Sequence, residues 1–342
     1  MERKLASIQR VNDIRTITVE GIEADSICEI RVQGWRLIAD KADFQVGDLC
    51  VYFEIDSLFN PELAWVREQV PFMEKYKWRV RTLKMNKFRV GDPPQVVISQ
   101  GLAIPVKMFG DTLPLVEGTD VTDILGIDKY DSLPFTADTI GRFPSWLPKT
   151  EEPRIQSTLE LLDELHGKAW VATIKLDGTS CSIWWDEGLH IASRNLEINA
   201  EMPSTYLRAV TPYLSIFEAH PHLAFQGEVH GEGVQSNRMG AKGLHFAVFN
   251  VFDRNEQRYL GYPELQALCN TVGLSMVPLV ASGDAFEWSL ADLEEFADTL
   301  NYPNDKPAEG IVVRPLAETM SVTFGERLSF KVISKRFLLK YD

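Results

Sequence analysis

The stretch VATIKLDGTSCSIWW, residues 171–185, places two charged side chains inside a run of apolar and β-forming residues. The β-formers on both sides of Asp177-Gly178 predict two strands joined by a turn. Lys175 and Asp177 would each cost free energy if they were buried without a partner. Either both side chains face solvent from an ordinary hairpin, or the lysine takes part in chemistry.

The size and composition of the chain are those of a globular protein. Its 342 residues predict two domains or three, and 45% hydrophobic with 25% charged residues is the usual balance. The four cysteines are far apart and form no C-x-x-C pair, so free thiols in a reducing cytosol are expected. No apolar run reaches the roughly 18 residues of a membrane-spanning helix, and the N-terminus lacks the apolar core of a signal peptide. We therefore expect a cytoplasmic protein.

Residues 1–125 are predicted to form a small β-barrel. Runs of β-formers at 28–38, 48–55 and 94–106 are separated by turn signals, without long helical patterns between them. Several short strands of this kind are typical of an OB-fold domain, which commonly binds nucleic acids.

The rest of the chain has a different pattern. The proline-rich segment 126–156 is interpreted as a linker. Residues 157–342 mix strand-like and helix-like segments, which favours an α+β domain of antiparallel sheets with helices.

One stretch of the first domain, KYKWRVRTLKMNKFR at 75–89, contains seven basic and no acidic residues. In a strand, its period of two would place four cations on one face and apolar side chains on the other. That face could follow the phosphates of a nucleic acid, or it could be a solvated face over the core. The net charge of −14 argues, taken alone, against a general nucleic-acid-binding protein. The four aligned cations are Lys75, Lys77, Arg79 and Arg81.

Lys175-x-Asp177-Gly178 is weak evidence by itself, but five further stretches follow it in order. They are Ser193-Arg194-Asn195, then QGEVHG at 226–231, FAVFNVFD at 246–253, EGIVVR at 309–314 and SFKVI at 329–333.

Together the six stretches resemble motifs I, Ia, III, IIIa, IV and V of the covalent nucleotidyltransferase superfamily. That superfamily comprises ATP-dependent polynucleotide ligases and messenger-RNA capping enzymes, and the resemblance covers residues 171–335. It implies a nucleotidyltransferase (ATP-grasp-like ligase) domain, with ATP as substrate and Mg²⁺ or Mn²⁺ as the metal ion. It also implies that Lys175 becomes covalently attached to AMP.

The chemistry explains why such residue types are needed. An amine must attack the α-phosphorus of a nucleotide, and a lysine that is protonated near neutral pH cannot do so. We therefore expect a lowered pKa for Lys175, from burial, nearby cations or a bound metal ion.

The resemblance implies a role for each further residue. Glu228 would bind the ribose, Glu309 would hold a hydrated metal ion, and Phe249 would stack on the purine, with Phe246 as the fallback. The remaining nucleotide-binding candidates are Ile174, Arg154, Arg194 and Lys331.

An N-terminal OB domain before a transferase domain that ends shortly after motif V resembles RNA ligase family five, the Deinococcus-type RNA ligases. The resemblance extends to ISQGL at 98–102, PKTE at 148–151, RIQ at 154–156 and FLLK at 337–340. It implies an enzyme that seals 3′-hydroxyl/5′-phosphate nicks in duplexes with RNA on the 3′-hydroxyl side. We expect the protein to be a monomer.

Two positions depart from the superfamily pattern. Ile333 stands where ligases commonly have a second lysine, which Lys335 could replace, and Asn250 stands where many relatives have aspartate. The alternatives are a capping-type guanylyltransferase, a DNA ligase and a non-catalytic OB-type nucleic-acid-binding protein.

Overall fold

The computed structural model describes residues 4–130 and 138–341 of the chain. Contacts divide the described residues into two compact units. The first unit takes residues 4–130 with 338–341, and the second takes residues 138–337. Each unit has apolar clusters of its own.

Strands dominate the described part of the chain, which forms twenty of them in four antiparallel sheets. Their bounds are β1 Ala6–Val19, β2 Ile22–Val32, β3 Trp35–Asp40, β4 Leu49–Phe53, β5 Ser57–Phe59, β6 Thr82–Val90, β7 Gln95–Gln100, β8 Leu102–Pro105, β9 Ile127–Lys129, β10 Thr139–Arg142, β11 Trp170–Lys175, β12 Thr179–Trp185, β13 Leu189–Ala192, β14 Leu196–Ile198, β15 Leu223–Gly231, β16 Leu244–Asp253, β17 Arg258–Tyr259, β18 Leu279–Gly283, β19 Gly310–Pro315 and β20 Phe330–Ile333.

Eight short α-helices accompany these strands within the described ranges. They are α1 Ala64–Gln69, α2 Thr122–Leu125, α3 Glu160–Leu165, α4 Thr205–Val210, α5 Leu214–Ala219, α6 Tyr262–Val272, α7 Leu290–Thr299 and α8 Lys335–Tyr341. None of the helices in the described residues is long and apolar enough to cross a membrane.

Strand β1 organises the sheet of the first unit. Its first residues, from Ala6 to Arg10, pair with β4, and its residues from Val11 onward pair with β2. The resulting strand order is β3-β2-β1-β4-β8, and β6 pairs with both β1 and β7. The N–H of Ile38 on β3 donates to Oγ of Ser99 on β7 at 3.1 Å, so the sheet curls round its core. The predicted N-terminal barrel is confirmed as this curled sheet.

The basic stretch 75–89 is not the single strand that its alternation predicts. A 3-10 helix covers Pro71–Tyr76, and Lys77 and Trp78 follow with φ angles of 55° and 62°. Because those angles are left-handed rather than extended, β6 begins only at Thr82. The prediction that four cations share one strand face is therefore wrong for Lys75, Lys77, Arg79 and Arg81.

Arg79 is held within its own unit. Its Nη2 and Nε atoms donate to Oδ1 of Asp56 at 2.6 and 3.1 Å, and its guanidinium lies 4.2 Å from the ring centroid of Tyr130. Lys75 and Lys77 are exposed, so the cations of this stretch differ in their freedom to meet a ligand.

The second unit contains two antiparallel sheets. The larger has the order β10-β14-β13-β12-β15-β16-β17, and the smaller has the order β18-β11-β19-β20. Helices α4, α5 and α6 contribute buried side chains to the core of the larger sheet. Helices α3 and α7 do the same for the smaller sheet.

The two strands of residues 171–185 do not pair with each other. Strand β11 pairs with β18 and β19, whereas β12 pairs with β13 and β15. The two strands are confirmed, but the ordinary-hairpin alternative is wrong. The turn at Asp177-Gly178 instead carries the chain from the smaller sheet to the larger one.

The segment 126–156 contains more structure than a linker. Within its described residues, β9 pairs with β5 of the first unit, and β10 pairs with β14 of the second. Residues 131–137, in its middle, lie outside the described ranges. The segment thus contributes a strand to each unit.

Candidate active site

Lys175 is the last residue of β11, and its side chain meets a carboxylate. Its Nζ atom lies 2.8 Å from Oε1 of Glu309, and both side chains are partly buried. The pairing of Lys175 with Gly310 places Glu309 one residue beyond the β11–β19 ladder. Motifs I and IV of the predicted set are therefore joined by an ion pair at the end of the paired strands β11 and β19.

Gly178 allows the larger sheet to approach this ion pair. A Cβ atom at Gly178 would lie 2.3 Å from the carbonyl oxygen of Val229 and 2.9 Å from Cγ of Glu228. No side chain fits at that distance, so the glycine of Lys-x-Asp-Gly serves close packing. Ser180, the second residue of β12, pairs with Glu228 on β15, which sets the register of the two strands.

The charges around Lys175 act against the lowered pKa expected from its chemistry. Burial lowers the pKa of Lys175, but the carboxylates of Glu309 and Glu228 outweigh burial, and its pKa is raised from the ordinary value. The expectation of a lowered pKa is thus wrong for the protein without nucleotide. An amine held beside two carboxylates stays protonated, because each carboxylate stabilises the ammonium form.

The pKa of the Glu228 carboxyl group is also raised. Burial raises the pKa of Glu228, Lys175 lowers it, and the nearby Glu309 and Asp177 raise it, so that the resulting pKa is about 8. A carboxylate with this pKa is a proton acceptor and donor near neutral pH. Such a carboxyl group can accept a hydrogen bond from a hydroxyl group or donate one to it.

Asp177 has a partner that the sequence did not reveal. Arg238 donates from Nη1 to both carboxylate oxygens of Asp177, at 2.9 and 3.0 Å. Burial and the charge of Glu309 raise the pKa of Asp177, and Arg238 opposes them. Asn304 in turn donates from Nδ2 to the carbonyl oxygen of Arg238 at 2.9 Å. The motif I aspartate is thus fixed by residues outside every motif.

The predicted phosphate-binding cations come from several segments of the second unit. Arg194 forms an ion pair with Glu151, and its charge lowers the pKa of Lys175 slightly against the carboxylates. Lys331 on β20 lies opposite Val312 on β19, and its backbone forms a bridge with that of Arg154. The structure therefore brings Arg154 and Lys331 together and places Arg194 within electrostatic reach of the lysine.

The structure also gives Ile333 and Lys335, at the end of motif V, defined surroundings. Ile333 is buried, and it pairs with Gly310 at the end of the β19–β20 ladder. Lys335 donates from Nζ to Oε2 of Glu294 on α7 at 2.7 Å. The other oxygen of Glu294 accepts from Gln156 at 2.9 Å. Lys335 is therefore paired with an acidic residue of α7.

Phe249 and Phe246 differ sharply in their surroundings. Gly227 pairs with Val248 and Gln226 pairs with Asn250, so Phe249 is the extra residue of a β-bulge and is partly exposed.

Phe246 is 1% exposed and lies in the core cluster under the helices, with its ring edge against Gly227. Phe246 has no ring face open to a nucleotide, so the fallback assignment is wrong. Ile174 is partly buried, and its N–H donates to the carbonyl oxygen of Pro278 at 2.8 Å.

A buried polar network ties the two sheets together beside Phe249. Arg314 on β19 donates from Nη1 to Oδ1 of Asn250 at 2.6 Å, and Asn250 donates to Oε1 of Gln226 at 3.4 Å. Gln226 donates to the carbonyl oxygen of Pro148 at 2.9 Å. Burial lowers the pKa of Arg314 to about 10. The unusual Asn250 is thus the neutral partner of a buried arginine.

The residues around Lys175 suit a hydrated divalent cation. Glu309 and Glu228 offer carboxylate oxygens, which Mg²⁺ and Mn²⁺ prefer. Among the described residues, no cluster of three or more acidic, histidine or cysteine side chains could hold a metal ion alone. An ion at this position therefore needs further oxygen ligands from water and from substrate phosphates.

Comparisons with known proteins agree with both units. A family model described as RNA ligase matches residues 168–333, and one described as an OB-fold domain matches residues 5–106. The second unit of the chain therefore resembles the RNA ligase family. No curated protein sequence matches it significantly. This match confirms the resemblance to nucleotidyltransferases and supports a ligase, and the second model confirms the OB fold.

Solved structures of one RNA ligase resemble the whole of this ligase. Naegleria gruberi RNA ligase with PPi matches it with a TM-score of 0.82 at 28% identity, covering 99% of each chain. Variants of the same enzyme with ATP and Mn, and with AMP and Mn, match with TM-scores of 0.84 and 0.83 at the same identity and coverage. The order of domains is therefore shared along the full length of both chains.

Proposed function

We propose that this protein is an RNA ligase that uses ATP and a divalent metal ion to seal 3′-hydroxyl/5′-phosphate nicks in duplexes with RNA on the 3′-hydroxyl side. A lysyl-AMP intermediate on Lys175 carries the nucleotide. The observation that supports the proposal most is the pairing of Lys175 with Glu309 at 2.8 Å, with Glu228 close by from the facing sheet. The ATP- and AMP-containing structures of the Naegleria enzyme support the choice of nucleotide.

In the first step, Nζ of Lys175 forms a bond to the α-phosphorus of ATP. The bond from that phosphorus to the bridging oxygen breaks, and pyrophosphate leaves. The amine must lose its proton, and Glu309 Oε1, at 2.8 Å, is an acceptor within reach. A divalent ion beside Glu309 would neutralise phosphate charge and favour the unprotonated amine.

The remaining residues bind and orient the nucleotide. Phe249 stacks on the purine, because its ring is partly exposed at the bulge of β16. Glu228 binds the ribose hydroxyls, which its mixed protonation near neutral pH suits. Lys331, Arg154 and Arg194 offset the charge that develops on the phosphates.

In the second and third steps, AMP moves from Lys175 to the 5′-phosphate of the nick, and the 3′-hydroxyl then displaces AMP. The OB unit contributes to nucleic-acid binding through its exposed cations, Lys75 and Lys77. We further propose that the enzyme acts as a monomer in the cytoplasm, where its four buried free cysteines would stay reduced.

The test uses four nicked duplexes that differ only in having RNA or DNA on each side of the nick. Sealing of the two substrates with RNA on the 3′-hydroxyl side, and little sealing of the other two, is expected. Equal sealing of all four would show a ligase without the proposed specificity. Incubation with labelled ATP and, separately, labelled GTP tests the nucleotide, and transfer of label from GTP alone would contradict the proposal.

A further inference from the structure

Tyr302 lies in the segment between α7 and β19, outside every motif. Its side chain is almost completely buried, with 3% of the residue exposed. Its hydroxyl donates to the carbonyl oxygen of Lys175 at 3.0 Å and accepts from the N–H of Glu309 at 3.1 Å. One hydroxyl group therefore joins the backbones of the two residues whose side chains form the central ion pair.

The position of this hydroxyl is explained by the end of a β-ladder. The pairing of β11 with β19 stops at Lys175 and Gly310, so Glu309 lies beyond the last backbone pair. A tyrosine hydroxyl can donate one hydrogen bond and accept another, so it can link the two backbones just beyond the last β-pair. Both backbone groups gain a partner, and the direction in which each side chain leaves the backbone is fixed.

The segment that carries Tyr302 is itself closed by backbone hydrogen bonds. The N–H of Tyr302 donates to Lys306, and the N–H of Ala308 donates to Leu300, at 2.8 and 3.1 Å. Asn304 of the same segment holds the carbonyl of Arg238, the partner of Asp177. This 300–308 segment is thus hydrogen-bonded to Arg238, to Lys175 and to Glu309.

We propose that Tyr302 is a positioning residue for nucleotide transfer to Lys175, because its hydroxyl fixes the lysine and Glu309 against each other. The inference rests on the proposed function, since it assumes that Lys175 is the nucleophile. Tyr302 does not touch the reacting atoms. It acts through the backbones of the two residues that do.

Tyr302→Phe removes only the hydroxyl and keeps the ring. We expect the rate of lysyl-AMP formation at saturating ATP to fall about tenfold or more, because a small misplacement of a nucleophile is costly. The ATP concentration for half-maximal rate should change less than about twofold, because no ligand contact is lost. Sealing of a nick that already carries AMP on its 5′-phosphate should fall much less, because Lys175 is not the nucleophile in that step.

Tyr52→Phe is the matched control. Tyr52 is fully buried in the first unit, and its hydroxyl donates to the carbonyl oxygen of Gln100 at 3.1 Å. This variant loses the same group from the core of the other unit. Melting temperatures of both variants, measured beside the rates, separate loss of fold from loss of alignment.

The outcomes are distinct. A large loss of lysyl-AMP formation in Tyr302→Phe alone, with sealing of the AMP-bearing nick retained, supports the proposal. Equal losses in both steps, equal behaviour of the two variants, or a Tyr302→Phe protein that does not fold would each overturn it. If the wild-type protein itself forms no lysyl-AMP, the proposed function fails and not this inference alone.

Discussion

The stretches at 171–178 and 75–81 both alternate charged with apolar residues, yet the structure treats them differently. In the first, β11 stays a strand because β18 and β19 pair with it on both sides. In the second, a 3-10 helix and two left-handed residues replace the strand. A charged residue in a β-forming pattern thus lies in a strand when distant strands pair with its backbone and provide partners for its side chain. Alternation alone does not provide them.

The largest expected effect comes from the lysine of the first stretch. Lys175→Ala should reduce ATP-dependent sealing by about 10⁴-fold or more, because no other group can carry the nucleotide. The variant should still seal a nick that already carries AMP, which can be measured on a synthetic substrate. ATP-dependent sealing near the wild-type rate would show that Lys175 is no more special than the lysines at 75 and 77.

Gly178→Ala tests the close approach of the two sheets. A Cβ atom 2.3 Å from the Val229 carbonyl must displace backbone, so we expect a loss of about 3 kcal/mol in the free energy of unfolding. Gly188→Ala is the control, because nothing lies within 4 Å of its Cβ position. It should change the stability by less than about 0.5 kcal/mol. Urea unfolding of both variants gives the comparison, and equal stabilities would contradict it.

The buried carboxylate of Glu228 makes stability depend on pH. Its folded pKa of about 8 exceeds the ordinary 4.5, so the folded protein binds this proton more tightly than the unfolded chain does. The contribution of Glu228 to stability is therefore most favourable below pH 4.5 and is lost as pH rises to about 8.

Glu228→Gln tests this pH dependence, because the amide cannot ionise. The difference in melting temperature between the variant and the wild type should increase as pH rises from 4.5 to about 8, and it should stay constant outside this range. A difference that does not change with pH would show that Glu228 keeps an ordinary pKa.

The smallest effects are expected in the basic stretch. Replacement of the exposed Lys75 and Lys77 by alanine should weaken binding to a nicked duplex and lower its salt dependence, without changing lysyl-AMP formation. Arg79→Ala should instead lower the melting temperature, because it breaks the contacts with Asp56 and Tyr130. Fluorescence anisotropy at several salt concentrations and thermal unfolding separate the two. A similar loss of stability in both proteins would contradict the difference between these cations.

Much of the fold could be predicted from local patterns. The strands on both sides of Asp177-Gly178 and the curled N-terminal sheet follow from β-forming runs and turn residues. The pairing of those strands could not be predicted, because β11 and β12 find their partners far along the chain. The same holds for the stretch at 75–81, where the φ angles of Lys77 and Trp78 end the strand pattern.

The candidate site shows the same limit. Lys175, Glu228 and Glu309 stand in recognisable motifs, and the structure brings them together. Arg238, Tyr302 and Arg314 were missed as partners, because each acts on a residue at least 61 positions away. Asn250 was a usable signal, since an asparagine in place of an acid indicates a changed neighbour. The raised pKa of Lys175 could not be predicted without the distance to Glu309.

The most direct test of the account is mass spectrometry of the wild-type protein after incubation with ATP and a divalent metal ion. We predict one added AMP, located by peptide mapping on Lys175 and removed when pyrophosphate is added. An AMP group on another residue, or no covalent AMP while ATP-dependent sealing proceeds, would contradict the central claim that Lys175 at the end of β11 carries the nucleotide.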